Sequence, residues 1–293
     1  MSTELTVNQY GKAENHVVRI TRDTDRHEIE DLNVTSQLRG DFAAAHYDGN
    51  NSHVVTTDTQ KNTIFAFARD GIGSPEAFLL RLADHFTGEF DWVTGGRWAA
   101  EQFGWARIED HDHTFYRSSP ETRTAVLVRD GGSDTMISGL HGLSVLKSTA
   151  SGFAGYPKDR YTTLPETDDR ILATDVSTRW RYGGTEGIDW NASYEGIKAT
   201  IMRAFGAEYS RALQQTLYQM ADAVLQAHPE VEEIRFSCPN NHHFLSDLSR
   251  FGVDNPGIVF HAADRPYGLI EAAFARRGAQ PADAAWAGIA GFC

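Results

Sequence analysis

Val17-Val18-Arg19-Ile20-Thr21-Arg22, followed by the alternation of Leu32, Val34, Ser36 and Leu38 within residues 29–46, sets the fold class of this chain. Side chains of a strand point to opposite faces in turn, so this period of two marks extended structure with one buried face. The first run reads as a strand and residues 29–46 carry a second. Asp48-Gly49-Asn50-Asn51 is a turn signal. From Thr57 the pattern becomes helical over residues 58–68, with the Thr57 hydroxyl or the Asp58 carboxylate suited to capping. Ser74-Pro75-Glu76 opens a clearer helix, with serine as cap, proline in the first turn, and Phe78, Leu79, Leu82 and Phe86 on one face. Strand-like segments return at residues 92–105, 114–118 and 122–128.

Asp130-Gly131-Gly132-Ser133-Asp134 is the best linker candidate, dividing residues 1–132 from residues 133–293. Beyond it, residues 136–146 and 171–181 read as strands. A long helical region follows over about residues 191–227, with Ile197, Ile201, Phe205, Leu213, Leu217 and Met220 near helical spacing. Residues 234–237, 244–248, 258–262 and 269–276 then read as short strands or mixed segments. The order of two strands, helices, two strands occurs twice, which points to two similar lobes. Strands grouped next to one another in sequence imply an α+β class with antiparallel sheets.

The length of 293 residues fits one large domain or two of ordinary size, and 41% hydrophobic with 23% charged residues is a globular balance. The 27 basic against 40 acidic residues leave a net charge of −13, which disfavours nucleic acid or an anionic membrane as partner. A small anionic substrate stays open, since basic residues inside a pocket override the mean field. Two cysteines, Cys238 and Cys293, make neither a disulfide framework nor a Cys-x-x-Cys metal pair, so a reducing compartment is expected. Met1-Ser2-Thr3-Glu4-Leu5 lacks the basic and apolar runs of a secretory signal, and no stretch approaches the roughly 18 apolar residues of a membrane span. Gly291-Phe292-Cys293 is not a peroxisomal Ser-Lys-Leu tail. Cytoplasm is the expected location.

Several polar residues beside apolar stretches carry the chemistry. Lys12, Thr57 and His242 can move protons, while Arg170 and Gln214 can grip a flat, hydrogen-bonding anion. A partly buried Lys12 becomes a usable proton acceptor; a solvated one is merely a surface lysine. Thr57 and Asp58 read as a helix cap, and the free N–H groups of a helix start are also anion donors. Arg170 follows Glu166, Asp168 and Asp169, so an ion pair with them is the plain alternative to a substrate fork. Gln214 beside Leu213 reads as a surface residue, and Phe153 as a core aromatic unless it stacks under a ring. Twelve histidines invite a metal reading. Adjacent His242 and His243 point to opposite strand faces, however, and His111-Asp112-His113 lies in a turn-like stretch. No H-E-x-x-H, phosphate-loop or G-x-G-x-x-G pattern occurs.

Tyr10-Gly11-Lys12, Thr57-Asp58-Thr59-Gln60-Lys61-Asn62-Thr63, Leu143-Ser144-Val145-Leu146-Lys147-Ser148-Thr149, Asp159-Arg160-Tyr161-Thr162-Thr163-Leu164, Glu166-Thr167 with Asp169-Arg170, Ile171-Leu172-Ala173-Thr174-Asp175-Val176, Gln214-Gln215-Thr216-Leu217-Tyr218-Gln219-Met220-Ala221 and Ser237-Cys238-Pro239-Asn240-Asn241-His242 together resemble the urate oxidase (uricase) family. The similarity is colinear from about residue 10 to residue 275. It implies two tandem tunnelling-fold domains, each an antiparallel sheet with helices on one face, closing into barrels when subunits assemble as a homotetramer.

The resemblance further implies oxidation of urate by O2 and water to 5-hydroxyisourate and hydrogen peroxide, with no metal and no cofactor. In it Lys12, Thr57 and His242 are the proton relay, and the Thr57 and Asp58 backbone meets the substrate. Arg170 and Gln214 hold urate in plane with the Leu213 backbone, Phe153 stacks beneath, and Asn240 holds oxygen or water above. Lys12, Thr57 and Asp58 come from one subunit and the rest from its neighbour. Pro165 and Asp168 fall where family members vary, and Asn241 and His243 change no role. The alternatives are a metal-dependent tunnelling-fold pterin or purine enzyme, and a purine-binding protein without catalysis.

Overall fold

The computed structural model describes residues 3–292, apart from the Asp264 side chain. The readings made at Met1, Ser2 and Cys293 lie outside the described residues. Two compact units are present. One takes the chain up to Leu140 with Arg181–Ser193 and Pro281–Ala287; the other takes His141–Trp180, Tyr194–Gln280 and the chain from Gly288.

The first unit opens with β1 (Tyr10–Thr21) and β2 (Glu28–Gly40), antiparallel with Val17 opposite Leu32 and Tyr10 opposite Leu38. Next come α1 (Ala43–Asp48), α2 (Thr57–Arg69), α3 (Pro75–Glu89), β3 (Val93–Gln102), β4 (Trp105–Arg107), β5 (Phe115–Arg117), β6 (Thr122–Asp130) and β7 (Ser133–Lys147). The strand order is β1-β2-β3-β6-β7, with β4 and β5 as a separate ribbon. Leu32, Val34 and Leu38 are fully buried, as the period of two requires, and so are Ile64, Phe78, Leu82, Phe86 and Trp98. Each such side chain removed from water stabilises the unit by roughly 1.5–3 kcal/mol. The helices α2 and α3 pack on β1 and on β3 and β6.

Two local expectations are corrected here. The second strand ends at Gly40, where a side-chain carbon would come 2.1 Å from the Trp92 carbonyl oxygen, and residues 43–48 turn into α1. The cap of α2 is Thr56, not Thr57 or Asp58. Its backbone is extended (φ −58°, ψ 146°) and its hydroxyl accepts the Thr59 N–H at 3.0 Å. Thr57 is already the first helical residue, one place too late to cap, and its hydroxyl is left for other work. Ser74 does cap α3, accepting the Ala77 N–H at 3.1 Å.

Gly131 and Gly132 form the tight β6–β7 turn with φ of 55° and 83°. The second unit contains the end of β7, β8 (Leu172–Tyr182), most of α4 (Trp190–Ala207), α5 (Leu213–Ala227), β9 (Val231–Leu245) and β10 (Phe260–Ala275), in the strand order β7-β8-β9-β10. The short α6 (Asp283–Trp286) belongs to the first unit. The long helical region is two helices, because the Ser210 N–H donates to the Ala150 carbonyl (3.0 Å) and its C=O accepts the Gly152 N–H (2.8 Å) instead of continuing a helix. The four short segments near the end are two long strands. Their alternation is masked by Asn240-Asn241-His242-His243 in β9 and by a bulge in β10 between Ala263 and Gly268. No helix among the described residues is long and apolar enough to cross a membrane.

Gly11 fixes how closely β1 and β2 approach beside Lys12, since a side-chain carbon there would lie 1.8 Å from the Ser36 carbonyl oxygen. Gly11→Ala is expected to destabilise the protein by roughly 1–3 kcal/mol, the cost of forcing a methyl against backbone that cannot rotate away. Urea unfolding reads this as a lowered midpoint; an unchanged midpoint would mean that β1 shifts freely.

Candidate active site

The candidate residues fall into two groups, one in each compact unit. In the first unit, Lys12 sits opposite Ser36, and β1 then bulges between Lys12 and Asn15 with Glu14 in the left-handed region (φ 54°). The buried Asn15 amide pins this bulge, donating to the carbonyls of Lys12 (3.0 Å) and Val34 (2.8 Å). Helix α2 is tied to the same strands: the Ser36 hydroxyl donates to the Gln60 side chain at 3.0 Å, and the Tyr10 hydroxyl to the Val55 carbonyl at 3.0 Å. These contacts place Thr57 and Asp58, in the first turn of α2, near the start of β1.

Lys12 is half-buried, and neither its ammonium nor the Thr57 hydroxyl has a hydrogen-bond or ion-pair partner among the described residues. The exposed Asp58 carboxylate is held below its ordinary pKa, first by the hydrogen bond and charge of Lys61, then by the Asn62 amide at 2.9 Å, and most weakly by the Lys12 charge. An ionised Asp58 at the positive end of α2 is electrostatically favoured.

In the second unit, backbone hydrogen bonds gather the remaining residues. Phe153 and Thr167 exchange N–H···O bonds of 2.8 and 3.1 Å, the Arg170 N–H donates to the Ser151 carbonyl at 2.8 Å, and Ser151 pairs with Ser210. Gly152 permits this approach, since a side-chain carbon would lie 2.2 Å from the Tyr209 hydroxyl and 2.9 Å from the Thr167 carbonyl oxygen. Helix α5 starts three residues after Ser210. Its first turn is held by the Ser210–Thr216 hydroxyl pair (2.6 Å) and by the Arg211 N–H donating to Gln215 (2.9 Å). Ala212 offers no side-chain cap, so the N–H groups at the start of α5 keep their capacity to meet an acceptor. Leu213 is buried there and Gln214 exposed.

Arg170 makes no ion pair among the described residues. Glu166 instead pairs with Lys158 at 3.1 Å, and Asp169 accepts from Thr149 at 2.8 Å. Its Nε is buried without a partner, and its guanidinium carbon lies 5.5 Å from the Phe153 ring centroid. Burial lowers its pKa from the ordinary value, yet guanidinium stays charged at neutral pH. A half-buried cation with an unused planar fork is suited to a planar anion. Phe153 stacks on Tyr156 with centroids 4.9 Å apart and planes 17° from parallel.

Asn240 and His242 lie two residues apart on β9, opposite Gly268 and Ala263, and so share one face. They continue the row of buried Ile234, Phe236 and Cys238 into more open surroundings. The His242 pKa is pushed down by burial first, then by the charges of Arg170 and His243. Its imidazole is therefore neutral at pH 7 and able to accept a proton. No group of three His, Cys, Asp or Glu residues placed to hold a metal occurs among the described residues.

Sequence reasoning missed Tyr156 and Tyr209. The first backs Phe153; the second donates to the Asp168 carbonyl at 2.6 Å and closes over Gly152. Both sit in irregular segments without periodicity, so only the fold reveals them.

The chain is an antiparallel α+β protein with helices packed on its sheet, and one unit bears an unpaired arginine, an aromatic platform and a neutral histidine. The chain belongs to the uricase family: the family model "Uricase" matches residues 8–128 and 136–271. It is similar to the uricase of Arthrobacter globiformis, at 61% identity over 98% of this chain and 94% of that protein. It is also similar to the uricase of Dictyostelium discoideum, at 35% identity over 92% and 96%. The crystal structure of the Arthrobacter globiformis uricase superposes with a TM-score of 0.93, 60% identity and coverage of 96% of this chain and 98% of that one. The tunnelling fold is shared with these structures.

The charge on Arg170 opposes a second positive charge on His242, so removing it should let the ring take up a proton at higher pH. In Arg170→Gln, the His242 midpoint followed by NMR is expected to rise toward the ordinary value of 6.5. A midpoint that stays or falls would show that Arg170 exerts no field there.

Proposed function

We infer that this chain oxidises urate with molecular oxygen and water to 5-hydroxyisourate and hydrogen peroxide, using no metal and no organic cofactor. The observation that carries the reading is the uricase-family match across the chain. The half-buried Arg170, left without a carboxylate beside Phe153, supports it. Triplet oxygen reacts slowly with closed-shell molecules, so the substrate itself must become a good one-electron donor. Deprotonating urate achieves this, with Lys12 and Thr57 receiving and passing the proton while Arg170 stabilises the anion. Gln214 and the Leu213 backbone N–H fix the ring in plane, the Thr57 and Asp58 backbone meets its other edge, and Phe153 stacks beneath. Asn240 holds oxygen, and then water, above the ring. Neutral His242 serves the relay when water adds and peroxide leaves. Urate, O2 and H2O thus balance against 5-hydroxyisourate and H2O2.

The working assembly of this reading is a homotetramer whose sites lie between subunits. One subunit supplies Lys12, Thr57 and Asp58; its neighbour supplies Phe153, Arg170, Leu213, Gln214, Asn240 and His242. The halves are residues 1–132 and 133–293, each giving four strands to the eight-stranded order, and β1 and β10 end that order with edges suited to closing barrels. The net charge of −13 argues against nucleic acid or an anionic membrane as partner. Two cysteines without a disulfide framework fit a cytoplasmic location.

Purified, chelator-treated protein without added cofactor is expected to consume urate and O2 in equal amounts and release peroxide; activity that returns only with added metal would overturn the reading. Lys12→Met should lower turnover by about 10²–10⁴-fold while inhibitor binding persists, since it removes a proton acceptor and not a clamp. Arg170→Ala should lose binding as well. Mixing these two inactive variants as co-assembled oligomers should restore about a quarter of the activity if sites are shared between subunits. No restoration would place each site within one subunit.

A further inference from the structure

Asn240 and His242 face one side of β9, and the residue between them, Asn241, faces the other. There its amide donates to Asp175 Oδ2 at 2.9 Å, while Asp175 Oδ1 accepts the Ser144 hydroxyl. Asp175 lies on β8 between Thr174 and Val176, both almost fully buried on the core side, so its carboxylate belongs to the opposite face. Ser144 is exposed on β7. Both carboxylate oxygens are therefore engaged across three adjacent strands, directly behind Asn240 and His242.

The β10 side of this stretch of β9 is irregular. The β9 register with β10 shifts opposite Asn241 alone, because β10 bulges between Ala263, which pairs with His242, and Gly268, which pairs with Asn240. A bulge bends its own strand, increases the local twist and disrupts the ladder where it occurs. Rotation of β9 about its axis at Asn241 would swing Asn240 and His242 together away from any bound ring. The contact to Asp175 resists that rotation from the β8 side, at the one residue between Asn240 and His242 that has no partner in β10.

We propose that Asp175 is a positioning residue that acts through Asn241 to aim Asn240 and His242. The proposal rests on the urate oxidase reading above. Asp175 touches neither substrate nor oxygen; it sets the angle of the strand that carries the oxygen-holding amide and the relay imidazole. The clamp of Arg170 and Gln214 stands on other segments, so urate affinity is independent of it.

The test is steady-state urate oxidation by Asp175→Ala, Asn241→Ala, the double variant and Asp175→Asn, with thermal unfolding measured alongside. A misplacement of about 1 Å costs on the order of 10²-fold, so kcat in each alanine variant is expected to fall about 10–100-fold while KM for urate stays within about twofold. The double variant should be no slower than either single one, because both remove the same contact. Asp175→Asn should recover most of the turnover, since an amide can still accept from Asn241 and donate to the Ser144 hydroxyl. Turnover close to the parent in either folded alanine variant overturns the proposal. So do additive losses in the double variant, or a rise in KM at constant kcat. Should Asp175→Ala fail to fold, Asn241→Ala and Asp175→Asn carry the same decision. A parent protein that consumes no urate overturns the urate oxidase reading itself, and this proposal with it; an active parent with unaffected variants overturns the positioning role alone.

Discussion

Ser210 and the segment of residues 150–152 exchange two backbone hydrogen bonds, and the site-bearing half of the second unit is organised around them. They end the first of two consecutive helices, set where α5 begins, and bring Leu213 and Gln214 to the loop that carries Phe153. Arg170 joins the same knot through the Ser151 carbonyl. Gly152 is the steric condition for it: any side chain there would displace Tyr209 or the 167–168 backbone. Main-chain bonds position these side chains more rigidly than side-chain contacts could, because each fixes a peptide plane and not only a rotamer.

Electrostatics in this half follow from what Arg170 lacks. The three acidic residues just before it in sequence leave it unpaired; Glu166 turns to Lys158 and Asp169 to Thr149. An arginine held half-buried without a counter-charge is unfavourable in the free protein and favourable once a planar anion fills the fork. The same charge helps hold the His242 pKa down, so one unpaired cation both keeps its fork open and acts on the imidazole. A structural ion pair would have quenched both effects. The first unit shows a related economy: Lys61 and Asn62 satisfy Asp58, which leaves the Lys12 ammonium uncommitted.

Strand irregularities recur at the candidate site residues. Lys12 is followed by a bulge in β1, and Asn240 and His242 face a bulge in β10. Both depart from the ladder where a side chain must be aimed at something other than the core, and both are braced by an asparagine. Asn15 holds the first through two carbonyls; Asn241 braces the second region from behind through Asp175. Regular strands supply the stiffness and the bulges supply the direction.

Periodicity and capping residues alone were enough for the α+β class, the antiparallel pairing, the buried face of β2 and the α3 helix with its Ser74 cap. Period and capping chemistry are local, and the core of the first unit obeys them. Lys12, Thr57, Arg170 and His242 were nominated by the colinear blocks that resemble the uricase family, since residue type alone left a surface lysine, a helix cap and an ion pair open. The fold places the α2 cap at Thr56 and not Thr57, a matter of one residue in a local turn. It also separates α4 from α5 and makes β9 and β10 long single strands, and these two outcomes depend on partners distant in the chain: the Ala150 carbonyl for Ser210, and one strand for another across a bulge. The partner of Arg170 was likewise undecidable from sequence, where three neighbouring carboxylates were available. The fold places all three elsewhere and leaves the guanidinium beside Phe153.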